Sequence, residues 1–164
     1  MHIRSLNISD SKEFLNLLDQ LDNETEFMLY EPGERKTTST EMKEYLKSFN
    51  TSIGIVLGAF ENNNLVGYVS LKRGRANRIK HIGYIVIGVL KNFGGKGIGT
   101  ELLKSIDRWA ENQEIKKLEL TVMSHNHKAQ HLYLKSGYKK EGIKKMSVLV
   151  KGKFYDEYYM EKIL

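Results

Sequence analysis

Four glycines lie within the six residues Gly94-Gly95-Lys96-Gly97-Ile98-Gly99, and they separate two segments of different periodicity. Before them, residues 81–90 run on in Ile, Val and Tyr, the pattern of a centrally buried strand. After them, Ile98, Leu102, Leu103, Ile106 and Trp109 recur at helical spacing. Backbone amides in such a loop, beside a helix N-terminus, face one anion together, and a diphosphate suits them. The spacing is not that of a Walker A loop, because Gly97 follows Lys96 where Ser or Thr is required. Nor is it the dinucleotide fingerprint, since Leu102 stands at the third glycine position. A tight strand-to-helix turn would explain a lone glycine cluster. Each glycine, however, costs about 0.5–1 kcal/mol relative to Ala where Ala is tolerated, so four together point to a close approach to the backbone.

The rest of the chain supplies what that unit packs against. Residues 2–6 read as a short strand, and Asp10 as the N-cap of a helix carrying Phe14, Leu17, Leu18 and Leu21 on one side. After the turn Glu31-Pro32-Gly33, Thr40 is the expected cap of a second helix through Met42, Tyr45, Leu46 and Phe49. Residues 54–61 and 65–72 form a predicted hairpin joined across Asn62-Asn63-Asn64. Residues 118–123 alternate as a strand, residues 126–136 form a helix stopped by Gly137, and two last strands flank Lys151-Gly152. The order predicts an α/β (or α+β) fold with one mixed sheet and helices on its faces. At 164 residues one core suffices, so residues 1–164 are expected to form a single domain.

The absence of cysteine excludes disulfides, thiolate zinc sites and a cysteine nucleophile, and no metal is expected. No stretch approaches the roughly 18 apolar residues of a membrane span, and the first residues lack a signal-peptide core. A cytoplasmic protein without a membrane partner is expected. The net charge of +6 is spread among both signs. The basic stretch Lys72-Arg73-Gly74-Arg75 and Arg78-Ile79-Lys80 lacks interleaved aromatics, so it reads as a solvated hairpin and no nucleic-acid partner is expected.

The segment from Val89 through Gly94, Gly95, Lys96, Gly97, Ile98, Gly99 and Thr100 to Leu102-Leu103 resembles motif A of the GNAT N-acetyltransferase superfamily. Residues 118–122 with Asn126, Ala129, Leu132-Tyr133, Lys135 and Gly137-Tyr138 resemble its motif B, in the right order and separation. The likeness spans about residues 55–160. Gly94 departs from it, occupying the Arg or Gln position of the consensus. The resemblance implies a twisted, mostly antiparallel sheet of about seven strands, splayed at the fourth and fifth, with the acetyl-CoA arm entering the gap. It implies cofactor contacts at Ile87 and Val89, along the loop from Gly94 to Thr100, and at Asn126, Tyr133 and Lys135. The implied reaction moves acetyl from acetyl-CoA to a primary amine by direct attack on the thioester. A non-catalytic acyl-CoA sensor is the alternative, and the presence of Tyr133 speaks against it.

That chemistry needs a neutral amine, an oxyanion donor and a proton for the leaving thiolate. The resemblance implies a strand amide near Val89 for the second role and Tyr133, a phenol of ordinary pKa about 10, for the third. The two glutamate positions of the superfamily fall on Gly83 and Thr121. His81 and Glu119 share those strand faces by the period of two and are the tentative bases, with a water relay or an already neutral amine as alternatives. Finally, Asp19, Asp22, Glu24, Glu26, Glu31 and Glu34 form an acidic run that predicts a cationic acceptor steered by Glu31 and Glu34, or else a solvated helix end. A monomer or homodimer is expected.

Overall fold

The computed structural model describes residues 1–164. Its strands are β1 (His2–Ser5), β2 (Gly54–Glu61), β3 (Asn64–Arg73), β4 (Ile82–Val89), β5 (Lys117–Met123), β6 (Lys139–Val150) and β7 (Lys153–Ile163). They form one sheet in the order β1-β2-β3-β4-β5-β7-β6, antiparallel except between β4 and β5. The helices are α1 (Ser11–Glu24), α2 (Ser39–Phe49), α3 (Ile98–Asn112) and α4 (His127–Lys135). Between β4 and α3 the chain first makes a 3-10 turn over Lys91–Phe93.

Local chemistry accounts for most of these boundaries. Asn62 and Asn63 take φ values of 49° and 65°, a left-handed pair that matches the twist of the strands it joins. The connection is thus two residues rather than the expected three, and Asn64 already pairs with Glu61. The cap of α2 is Thr38, not Thr40. Thr38 Oγ1 accepts from the Glu41 amide at 3.2 Å, and Glu41 Oε2 accepts from the Thr38 amide at 2.6 Å, a reciprocal capping box. Asp10 stands at the start of α1 but makes no side-chain cap there. Its carboxylate instead accepts from the Asn7 amide and from both terminal nitrogens of Arg4, each at 2.7 Å.

Two apolar layers sandwich the sheet. On one face Leu57, Val69, Leu71 and Ile85 meet Ile98, Leu102, Leu103 and Ile106 of α3. On the other, Val56, Phe60 and Tyr68 meet Phe14, Leu17, Leu18 and Leu21 of α1 and Met42 and Leu46 of α2. Each such side chain, fully buried, contributes about 1.5–3 kcal/mol. The second layer stops short. It reaches β4 only at Gly88, where a Cβ would lie 2.7 Å from Leu21 Cδ1, and it leaves Tyr84 and Val86 each 40% exposed. Contrary to expectation, β4 is therefore covered on one face only, because α1 and α2 end before they cross it.

The position of that layer is fixed by a buried ion pair. Asp22 near the end of α1 is 1% exposed at its side chain and accepts from Arg35 Nε at 2.7 Å and Nη2 at 3.1 Å. Arg35→Met keeps the stem and strands the carboxylate, so urea melts should show a loss of about 3 kcal/mol. A loss below about 0.5 kcal/mol, the range of ordinary surface changes, would mean that the pair does not hold the helix.

Candidate active site

β4 and β5 are partners only over Ile82–Tyr84 and Lys117–Glu119, after which they part. Gly74 N donates to Ile82 O and Leu90 N to Val66 O, each at 3.0 Å, so the even-numbered residues of β4 spend their backbone groups on the β3 side. Alternation turns the N–H groups of Ile87 and Val89, beyond the last paired residues, the other way, into the gap that β5 has left. Fixed donors in such a place need no reorganisation to meet a developing oxyanion. At the foot of the gap the Tyr84 hydroxyl lies 3.1 Å from Thr121 Oγ1, joining the two strands by their side chains.

The mouth of the gap is the glycine loop. Gly95 and Gly97 have φ values of 79° and 82°, a region costly for residues with a Cβ, and a Cβ at either would meet nothing within 4 Å. Both therefore face open space at the start of α3, where Gly97 is the N-cap. The Glu101 amide is the one that returns to the Gly97 carbonyl, at 3.1 Å, which leaves the amides of Ile98, Gly99 and Thr100 without helical acceptors. The other two glycines serve contact with α4. A Cβ at Gly99 would lie 2.9 Å from Leu132 Cδ2, and one at Gly94 would lie 2.6 Å from Lys128 Nζ. Lys128 thus fills the space of the side chain missing from position 94. Sequence reasoning passed over it because nothing in the local pattern links the first turn of α4 to this loop. Lys96 caps the Phe93 ring at 4.8 Å, and the Ile98 side chain is core, so Ile98 offers the loop only its backbone.

On α4, Asn126 accepts from the Ala129 amide at 3.1 Å, capping the helix. Tyr133 is 7% exposed, 5.8 Å from the Tyr138 ring, and burial pushes its phenol above the ordinary value, with Tyr84 near enough to add to the shift. It stays protonated at neutral pH. Lys135 lies in the last turn, where it complements the helix dipole, about 10 Å along the axis from Lys128. His81 is not brought to the gap. It precedes β4 at the paired end, and its carbonyl accepts from the Lys116 and Lys117 amides at 2.8 and 3.1 Å. Glu119 is placed better, since it is the partner of Tyr84 on the open face, with its side chain 39% exposed. At position 83 a Cβ would press on Leu71 at 3.0 Å, which explains the glycine there.

The acidic run is largely spent. Asp22 holds Arg35, Glu24 Oε2 accepts from the Lys91 amide at 2.7 Å, and Glu34 Oε2 accepts from the Glu31 amide at 2.8 Å. Glu26 lies 3.1 Å from His125 Nε2 and 3.5 Å from Lys151 Nζ, and these partners hold its carboxyl below the usual range. The Glu31 and Glu34 carboxylates take part in no ion pair, whereas Asp22 and Glu26 are matched by Arg35, His125 and Lys151. The segment also serves as a clasp. Phe27 and Tyr155 flank the His125 ring at centroid distances of 5.0 and 4.0 Å, fastening the chain after α1 to the end of β5.

Comparison with known proteins is consistent with this architecture. The model of the acetyltransferase (GNAT) family matches residues 18–138. A GNAT-family acetyltransferase from Streptococcus pneumoniae is 32% identical, with 99% of each chain covered and a TM-score of 0.96. The L-amino acid N-acetyltransferase AaaT of Escherichia coli is 26% identical over 103 residues, which are 62% of this chain and 64% of that relative. The yncA protein of Salmonella typhimurium, solved with its cofactor acetyl-CoA, shares the fold at a TM-score of 0.89 and 18% identity, covering 99% of this chain and 93% of its own.

Gly97→Val places a branched side chain in the open space before α3 and strains a left-handed position. Calorimetry should show CoA binding weakened about tenfold or more, some 1.4 kcal/mol. Unchanged affinity in a folded variant would remove the loop from the site.

Proposed function

Because this chain belongs to the GNAT acetyltransferase family and is an acyltransferase, we propose that it carries the acetyl group of acetyl-CoA to a primary amine by direct attack on the thioester. The observation that carries this reading is the gap itself, with the unspent β4 amides inside it and the open glycine loop at its mouth. The amides from Gly95 to Thr100, with Lys96 and Lys128, are suited to a diphosphate. Ile87 and Val89 direct N–H groups at the place where a thioester oxygen gains charge. Asn126, at the start of α4, is left a free amide nitrogen toward the cofactor arm once its oxygen caps the helix.

The proton account closes with two side chains. Glu119 takes one proton from the acceptor ammonium, and the neutral nitrogen attacks the carbonyl carbon. As the C–N bond forms and the C–S bond breaks, the Tyr133 phenol gives its proton to the thiolate. The second proton shed by the nitrogen restores the phenol, and CoA leaves as the thiol. Burial suits Tyr133 to this part, because a phenol held above its ordinary pKa is fully protonated when it is needed.

A screen of primary amines with acetyl-CoA, read as release of free thiol, tests the reaction. Tyr133→Phe tests the acid. The substitution removes only the hydroxyl and keeps the buried ring, so the variant should keep its stability and its acetyl-CoA affinity while turnover falls about 10²-fold. Turnover within about twofold of the parent would make Tyr133 a packing residue.

A further inference from the structure

The basic stretch after β3 is not a loose hairpin. Gly74 N bonds Ile82 O, Ile79 N bonds Ala76 O at 2.9 Å, and Ile82 N bonds Ile79 O at 3.0 Å, so the connection folds on itself. Gly74 permits this, since a Cβ there would stand 2.9 Å from Ile79 Cγ1. Arg73 Nε donates to the Lys80 carbonyl, which fixes the guanidinium and leaves its terminal nitrogens unspent. The result is a cleft of about 460 Å³ on the open face of the sheet, with Lys72, Arg73 and Arg75 in its lining together with Ile79, Tyr84 and Glu119.

Its charges are arranged in a row. Lys72 on β3 is the partner of Tyr84 on β4, and Tyr84 is the partner of Glu119 on β5. Strands lie about 4.8 Å apart, so the cationic and anionic positions are separated by about 10 Å across the tyrosine. Lys72, Arg73 and Arg75 take part in no ion pair of the fold. The cation nearest Glu119, Lys117, is 3.8 Å away and closer to Glu141 at 3.0 Å and Glu161 at 3.1 Å. One end of the cleft therefore lacks an anion and the other lacks a full cationic partner. A polyamine would meet the three cations, and a purely anionic molecule would meet Glu119.

We propose that the acceptor is a free amino acid, its carboxylate held by Lys72, Arg73 and Arg75 and its amine presented to Glu119 beside Tyr84. The proposal rests on the acetyl-transfer reading above. It accounts for the position of the cleft, because the Tyr84–Thr121 contact puts its Glu119 end at the foot of the β4–β5 gap. Ile79 and the Tyr84 ring give the amino-acid side chain an apolar wall.

The test offers each of the twenty common L-amino acids and its carboxamide as acceptor, measuring thiol release, and follows the thermal midpoint of the protein–CoA complex with the same compounds. At least one acid should exceed its amide about tenfold or more in kcat/KM. The double variant Lys72→Gln, Arg75→Gln, at two exposed positions, should erase that preference mainly through the KM of the acceptor, with the KM of acetyl-CoA unchanged. Equal or better use of amides, of spermidine or of a peptide N-terminus overturns the proposal while acetyl transfer stands, as does a preference that survives in the double variant. Should no amine be turned over, acetyl transfer fails on its own terms. The thermal midpoint then decides the cleft: an acid-specific rise in the parent that is lost in the variant upholds it, and no such difference refutes it.

Discussion

The architecture turns on a parallel pairing that lasts only three residues on each strand. β4 continues along β3 and β5 continues along β7, so each is satisfied on one side while their facing edges part. An unpaired strand edge is ordinarily a liability that folds cover or blunt. Here it lies inside the sheet, shielded from edge-to-edge pairing, and its N–H groups become a fixed array of donors. The loop, the phenol and the carboxylate all take their meaning from that array, since each lies at its mouth, its α4 side or its foot.

The glycine loop illustrates how one motif serves two physical purposes. Gly95 and Gly97 are glycines because of their left-handed backbone and the open space before α3, whereas Gly94 and Gly99 are glycines because α4 leans against them. The lysine that approaches Gly94 comes from that helix, so the basic character of the loop is assembled from two elements. Substituting position 94 would disturb Lys128 before it disturbed anything bound.

What was legible in the sequence follows from range. Alternation, helical spacing and turn residues are local, and they place every strand and helix to within a few residues. The Thr38–Glu41 capping box was readable too, and Thr40 obscured it by standing nearer the apolar run. The open face of β4 was not legible, because it depends on where α1 and α2 stop, which Leu21 at Gly88 and the Asp22–Arg35 pair decide in three dimensions. The same holds for charge. The acidic run looked like a field in one dimension, but most of it is committed to partners as distant as His125. The basic stretch looked solvated, yet strand register sets it in line with Glu119.

The account's central claim is that acetyl-CoA lies between β4 and β5. A crystal structure of the complex addresses it directly. The account predicts the diphosphate on the amides of residues 95–100, the thioester oxygen about 3 Å from the N–H of Ile87 or Val89, and the sulfur facing the Tyr133 hydroxyl. A cofactor arm lying outside the gap, or a sulfur turned away from Tyr133, would contradict it.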